Sequence, residues 1–212
     1  LRIVVLYGKF SNPLNLGNTH NAPEKRFARF EDSEPQLWAL LDTLIPENEG
    51  ESRPLTRADL ESKHHQFFYE IKALNEMFRD MTREPLGGTE GDRLVRLQSR
   101  LERLRLIEEG LYVLASSSQS SWSGLDAAFW ESLHALISTV TETLKDPDPM
   151  AIELLTQIAT ADPKRFEQLR RENWNQDREQ ADEEASLQRT YQFQRVFILI
   201  AEYVNLYVTD RN

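Results

Sequence analysis

The feature that most constrains the fold is an almost continuously apolar segment near the end of the chain, Leu187–Thr209. Within its central part, Glu202 and Asn205 are the only charged or amide residues, and they are three positions apart, so they share one side of a helix. A helix that is apolar nearly all round is usually buried by neighbours on several sides. We therefore predict that the other helices pack on this one. The remaining polar residues of the segment fall near the same line and predict a narrow polar seam: Gln188, Gln192, Arg195 and Thr209.

The first quarter of the chain predicts little regular structure. Ser11–Pro35 is polar and interrupted by proline and glycine, which is typical of a loop. Pro35 is placed to begin a short amphipathic helix that ends before Pro46. We therefore divide the chain into residues 1–54, an N-terminal segment with one short helix, and residues 55–212, an all-helical domain.

The helical part begins with a recognisable start signal. Thr56 and Asp59 approximate a capping box, with Asp in place of the usual Glu, and apolar residues then recur at helical spacing as far as Met81. Pro85 and two glycines follow, so the helix is predicted to end near Glu84. The glycine-rich stretch Gly87–Asp92 is predicted to be a flexible connection.

Two long amphipathic helices and two short ones are predicted next. Leucines spaced three and four apart indicate helices over Arg93–Ala115 and Leu125–Leu144. Short helices are then expected to begin where an aspartate that can cap precedes a first-turn proline: Asp148–Pro149 and Asp162–Pro163.

The elements together predict an all-α protein of six or seven helices. Two architectures fit this pattern, an antiparallel helix bundle and an irregular α-solenoid of stacked helical hairpins without a visible repeat. The chain opens on Leu1 and not on Met, so we interpret it as a fragment of a longer protein.

Composition excludes several classes of function. Cysteine is absent, which rules out disulfides, thiol catalysis and zinc sites that need thiolates. The net charge of -10 argues against nucleic acid as the main partner. The run Val196–Val208 is shorter than the roughly 20 residues that span a bilayer. We expect no membrane span and a cytoplasmic or nuclear chain that is not secreted.

Two Glu-x-x-His triplets are the sharpest candidates for chemistry: Glu61 with His64, and Glu131 with His134. Carboxylate-bridged di-iron bundles use such triplets, so a di-iron metalloprotein is one alternative function. Glu131 and His134, however, are predicted to point away from the apolar face of their helix. The chain has no HExxH zinc signature and no Gly-x-Ser-x-Gly elbow. We therefore assign no catalytic, metal-binding or cofactor-binding residue, and expect no small-molecule substrate.

Seven residues are candidates for binding a partner. Four arginines lie beside a leucine stripe, where they could dock on an acidic protein surface or, as a further alternative, on a nucleic-acid backbone: Arg93, Arg96, Arg100 and Arg103. Three tryptophans near loops or on outer faces could anchor a protein contact: Trp122, Trp130 and Trp174.

Two stretches carry a family resemblance, LERLRLIEEGLYVLASSSQ (Leu101–Gln119) and FQRVFILIAEYVNLY (Phe193–Tyr207). This run of long amphipathic helices, with serine-rich and acidic breaks between them, resembles the tail region of the large fungal α-solenoid scaffold nucleoporins of the inner ring. The resemblance covers roughly Thr56 to the end of the chain. It implies a structural part of the nuclear pore that binds other nucleoporins without catalysis, and it transfers no functional residue. The expected function is therefore a non-enzymatic protein–protein interaction module.

Overall fold

The computed structural model describes residues 23–46, 56–117, 124–157 and 183–211. This part of the chain is helical, with no strands, which confirms the predicted all-α class. Its apolar residues form one shared core, consistent with a helical bundle. The helices are α1 (Pro23–Asp42), α2 (Arg57–Met81), α3 (Gly88–Ser117), α4 (Gly124–Lys145), α5 (described over residues 149–157) and α6 (Glu183–Arg211).

Helix α1 begins inside the predicted loop Ser11–Pro35, and Pro35 lies within the helix and does not begin it. Proline in a helix interior costs about 3 kcal/mol, because it cannot donate a hydrogen bond to the preceding turn. The burial of Phe27 and Phe30, both with no exposed surface, contributes about 1.5–3 kcal/mol for each side chain and offsets that cost. Tertiary packing therefore extends α1 through a sequence that reads locally as a loop.

The capping box at the start of α2 is confirmed. The backbone N–H of Asp59 donates to Thr56 Oγ1 at 3.2 Å, and the backbone N–H of Thr56 donates to Asp59 Oδ2 at 3.0 Å. The predicted flexible connection Gly87–Asp92 is wrong, because α3 begins at Gly88. Glu90 accepts a hydrogen bond from the backbone N–H of Gly87 at 2.9 Å, so a carboxylate satisfies a donor at the start of this helix.

The next two helices follow their predicted starts. Helix α4 extends the predicted Leu125–Leu144 by one residue at each end. Asp148 caps α5, since its Oδ1 accepts from the backbone N–H of Ala151 at 2.8 Å. The helix predicted to begin at Asp162–Pro163 lies outside the described residues.

The helix at the centre of the bundle is α3 and not, as predicted, α6. Helix α3 lies against α1, α2 and α6, whereas α6 lies mainly against α3, less extensively against α4, and meets α1 through side chains. The predicted polar seam explains this difference, because Arg195, Glu202 and Asn205 are exposed and leave one side of α6 facing solvent. Close approach of the two helices occurs at Gly110 of α3, where a Cβ atom would lie 2.6 Å from Val196 Cγ2.

The helix of the N-terminal segment belongs to the same core as the later helices, with Leu37, Trp38 and Leu41 almost fully buried. The predicted division between residues 54 and 55 falls outside the described residues and stays a prediction. No described helix combines the length and the apolar character that crossing a membrane requires.

Candidate functional site

Three side chains from three helices meet in the interior of the bundle. Tyr203 Oη of α6 donates a hydrogen bond to Glu34 Oε1 of α1 at 2.7 Å. Arg100 Nη2 of α3 donates to the other carboxylate oxygen, Glu34 Oε2. The exposed fractions of Glu34, Arg100 and Tyr203 are 1%, 3% and 0%, so this polar contact is enclosed by the core.

The cluster continues toward the end of α6. Arg100 Nη1 donates to Asp210 Oδ2 at 3.2 Å, and Arg96 forms an ion pair with the same carboxylate. Two arginines thus face two carboxylates when all four groups are ionised. The exposed fraction of the Arg96 side chain is 43%, so water reaches the outer end of the cluster but not its inner end at Glu34.

Aromatic rings surround the inner end. The rings of Trp38 and Tyr203 are 4.9 Å apart in an edge-to-face arrangement. The guanidinium carbon of Arg100 lies 5.0 Å from the ring centroid of Tyr207 and 5.6 Å from that of Phe30, distances at which a cation is attracted to the ring face. Apolar surroundings of this kind strengthen the attraction between paired charges and increase the free-energy cost of an unpaired one.

Burial changes the acidity of the cluster. Loss of hydration raises the pKa of Glu34 to about 7, although Arg100 and the hydroxyl of Tyr203 act in the opposite direction. Burial alone would lower the pKa of Arg100, but the negative charge of Glu34 raises it above its usual range. Burial also raises the pKa of Tyr203 well above that of a free tyrosine. Burial thus favours the neutral form of Glu34, whereas the hydrogen bonds that its two oxygens accept from Arg100 and Tyr203 favour the ionised form.

This geometry limits the chemistry that the cluster can perform. The carboxyl group, the guanidinium group and the phenol are all enclosed, so none is accessible to a substrate in the folded chain. The cluster can hold three helices in register, because its hydrogen bonds join α1, α3 and α6.

The structure places the predicted arginine stripe against the protein's own carboxylates. Arg93 pairs with Glu24 at 2.8 Å and with Glu31 at 2.9 Å. Arg103 pairs with Glu202 at 2.7 Å. Since Arg96 and Arg100 pair as described above, every arginine of the predicted partner-binding set makes an intramolecular ion pair, and Arg100 is too deeply buried to touch a partner.

The predicted tryptophan anchors have different outcomes. Trp130 has an exposed fraction of 1% and packs edge-to-face on Phe193, with 5.1 Å between ring centroids, so it is a core residue and not a surface anchor. Trp122 and Trp174 lie outside the described residues.

The two Glu-x-x-His triplets are not brought together. His64 Nδ1 lies 2.7 Å from Glu108 Oε1 of α3, whereas His134 Nδ1 lies 2.8 Å from Asp42 Oδ1 of α1. Among the residues described by the structure, no three His, Asp or Glu side chains are grouped so that they could hold a metal ion. The triplets therefore do not assemble the di-iron site of the alternative hypothesis.

Sequence reasoning missed Glu34, because the segment around it was interpreted as a loop. The signal was present in its spacing, four residues after Phe30 and three before Leu37, on the apolar stripe of α1. A charged residue on such a stripe requires a buried partner, and Arg100, three residues after Leu97 and four before Leu104, occupies the equivalent position on α3.

A pair of exposed aromatic residues lies on the outer face of α2. Phe68 and Tyr69 are 53% and 65% exposed, and their rings are 6.1 Å apart in an edge-to-face arrangement. Other large apolar side chains are exposed elsewhere: Val95, Val113, Met150, Leu154, Tyr191 and Ile198.

Comparison with known proteins identifies no relative. No protein-family model, no curated protein and no solved structure matches this chain.

Proposed function

We propose that this chain is a non-enzymatic protein–protein interaction module that binds its partner through the outer face of α2. The observation that carries this proposal is the exposed aromatic pair Phe68 and Tyr69. Aromatic side chains are enriched at the centres of protein interfaces, because they bury a large apolar area and lose little conformational entropy. Two adjacent exposed rings on a regular helix form a rigid anchor of this type.

The charges of the described surface favour this function over nucleic-acid binding. Phosphate binding needs arginines that are free to replace the counterions of the nucleic acid. Here Arg93 and Arg103 already pair with carboxylates of other helices, and the chain carries a net charge of -10. Enzymatic function is disfavoured because Glu34, an acid whose pKa burial raises, has no access to a substrate.

Within this class of function, the proposed setting is a large assembly at the nuclear envelope, where the chain would act as a structural part of the nuclear pore complex. This part of the proposal rests on the resemblance of Leu101–Gln119 and Phe193–Tyr207 to the inner-ring scaffold nucleoporins. A purely cytoplasmic scaffold is the alternative location.

The test is capture of partners by tagged protein from an extract of the source cells at moderate salt, with identification by mass spectrometry. We expect a stoichiometric set of scaffold proteins, and nucleoporins among them would support the proposed setting. The double variant Phe68→Ala, Tyr69→Ala should lose these partners. The matched control is Val95→Ala, Val113→Ala, which removes exposed apolar side chains from α3 and should retain them.

The salt dependence of capture and the identity of the recovered molecule distinguish the proposed function from its alternatives. Capture through an apolar anchor should persist when the salt concentration is raised, whereas capture through arginines should fall steeply. Retention of every partner by the aromatic double variant would exclude the α2 face. Recovery of nucleic acid or near-stoichiometric iron without a protein partner would overturn the proposed function.

A further inference from the structure

The side of α6 that faces solvent carries a line of five exposed residues: Tyr191, Arg195, Ile198, Glu202 and Asn205. They follow one another at intervals of four and three residues, so their side chains share one face of the helix. Two of them are large and apolar, with 64% of Tyr191 and 42% of Ile198 exposed. Isolated exposed apolar residues are common, so the meaning of this line depends on the polar residues that accompany them.

The line is chemically symmetric about Ile198. Arg195 lies three residues before Ile198, and Glu202 lies four residues after it. Tyr191 and Asn205 each lie seven residues away, on opposite sides. A cation on one side thus corresponds to an anion on the other, and a phenol corresponds to an amide that can accept its hydrogen bond. A second α6 that runs in the opposite direction therefore presents the complement of this line.

Both charged groups of the line can reach a molecule outside the chain. Arg195 is exposed, and among the described residues no carboxylate lies within ion-pair distance of it. Glu202 pairs with Arg103 of α3 at 2.7 Å through Oε2, but the side chain of Glu202 is 46% exposed. An ionised carboxylate accepts several hydrogen bonds, so the other oxygen of Glu202 can accept one from a further cation.

We propose that α6 is a self-association surface, on which a second copy of this chain docks antiparallel with a two-fold axis near Ile198. Each Arg195 then pairs with Glu202 of the other copy, so the same ion pair forms twice. A two-fold contact uses one surface on both subunits, and this surface is self-complementary as such a contact requires. It is separate from the aromatic pair of α2 on which the proposed function rests.

The contact should be weak. Only Tyr191 and Ile198 contribute large apolar side chains, which places it among the small interfaces, below about 1,200 Å² in total, that are typical of transient association. Each copy also carries a net charge of -10, and the repulsion between copies opposes association until salt screens it. We therefore expect a monomer–dimer equilibrium in which the dimer forms at high protein concentration.

Sedimentation equilibrium of the whole chain tests this contact, from about 10 μM to about 1 mM protein at about 0.15 M salt. We expect the wild-type chain to form a reversible dimer. Arg195→Glu and Glu202→Arg should each weaken the dimer about tenfold or more, because like charges then meet at two places. An equimolar mixture of these two variants should form dimers again, since only in the mixed pair does every altered side chain face an opposite charge.

Matched controls separate this local pairing from the change in net charge. Arg79→Glu and Glu76→Arg make the same charge changes at exposed positions of α2. Each should dimerise as the wild-type chain does, and mixing them should add nothing. The double variant Phe68→Ala, Tyr69→Ala should also dimerise normally, because its altered surface lies on α2.

The position of the two-fold axis can be tested covalently, because the chain contains no cysteine. Ile198→Cys should give a disulfide-linked dimer under a mild oxidant, since the two introduced thiols meet near the axis. Tyr191→Cys should not, because seven residues move the thiol about 10 Å along each helix and leave about 20 Å between the two copies. A disulfide requires Cα atoms within about 7 Å of each other.

Several outcomes would overturn the proposal. These are a wild-type chain that stays monomeric at every concentration, an undiminished dimer in Arg195→Glu, and a mixture of the two α6 charge variants that stays monomeric. Disulfide formation at position 191 as efficient as at position 198 would exclude the antiparallel contact. Loss of the dimer in the α2 aromatic variant would place the interface on α2 instead.

Discussion

The hydroxyl group of Tyr203 donates to a carboxylate oxygen of Glu34 at 2.7 Å, although the two residues are separated by 169 positions in the chain. This bond joins the first described helix to the last one. Arg100 of α3 donates to the other oxygen of the same carboxylate, so one buried carboxylate joins three helices. Its energetic role depends on whether its neighbours remain paired, since a buried charge without a partner is costly.

Removal of Arg100 should therefore be among the most destabilising single changes. In Arg100→Met, Glu34 and Asp210 lose their shared partner, and we expect the free energy of unfolding to fall by about 3–5 kcal/mol. Chemical denaturation measures this loss. The control is Arg105→Met, which removes half-exposed ion pairs with Glu102 and Glu109 and should change the stability by less than about 1 kcal/mol.

The pair of Arg100 with Glu34 should also behave non-additively. If the cost of Arg100→Met is that of a stranded carboxylate, then the double variant Arg100→Met, Glu34→Gln should recover part of the stability lost in the single variant. A double variant that is less stable than the sum of the two single changes would contradict this account.

The close approach of α3 and α6 predicts an unusual response to alanine. Replacement of a helical glycine by alanine ordinarily stabilises by about 1 kcal/mol. In Gly110→Ala the new Cβ would lie 2.6 Å from Val196 Cγ2, and a valine in a helix has few other rotamers. We expect a net loss of about 1–2 kcal/mol, since overpacking costs typically 1–3 kcal/mol.

Gly91 supplies the control for this prediction, because no atom lies within 4 Å of a Cβ built on it. Gly91→Ala should be neutral or stabilising by up to about 1 kcal/mol in the same denaturation experiment. Adding Val196→Ala to Gly110→Ala should restore the fit between the helices at the cost of a smaller core. Equal effects of the two glycine changes would show that the contact does not limit the approach of α6.

Local signals predicted most of the helices, because they depend on residues that are close in sequence. The stripes of α2, α3 and α4 and the caps at Thr56 and Asp148 are of this kind. Local signals did not predict helix α1 over its observed range. Pro35 and the polar residues around it oppose a helix there, and only the tertiary burial of Phe27 and Phe30 stabilises it. Features of the fold that depend on long-range packing were not predicted by these local signals.

The central position of α3 was not predictable from hydrophobicity alone. Helix α6 is the more apolar in its middle, but its outward seam leaves it on the side of the bundle. Helix α3 carries five arginines between Arg93 and Arg105 and still lies at the centre, because partners on α1 and α6 neutralise four of them. Which carboxylate meets which arginine depends on helix register, and one sequence does not reveal the register between distant helices.

The capping box of α2, which the sequence predicts and the structure contains, should contribute measurably to stability. Thr56→Ala removes the side chain that accepts from the backbone N–H of Asp59, and we expect it to cost about 1 kcal/mol of stability. Thr209→Ala is the comparison, since its hydroxyl only donates to the carbonyl of Asn205 within an exposed part of α6. That change should stay within about 0.5 kcal/mol of the wild type. Indistinguishable effects on thermal unfolding would mean that this turn of α2 frays in the native state.

Three consecutive aromatic residues of α2 provide the sharpest contrast between core and surface. Phe67 is 2% exposed and packs in the core, whereas Phe68 and Tyr69 are more than half exposed. Phe67→Ala should lower the free energy of unfolding by about 3–5 kcal/mol, because it removes buried apolar area and leaves a cavity. Phe68→Ala and Tyr69→Ala should each cost less than about 1 kcal/mol in the isolated chain. Partner capture is proposed to depend on Phe68 and Tyr69. Loss of capture with unchanged stability would therefore assign these two residues to binding. Loss of stability in Phe68→Ala comparable to that in Phe67→Ala would instead place this face inside the folded unit and remove it as a docking surface.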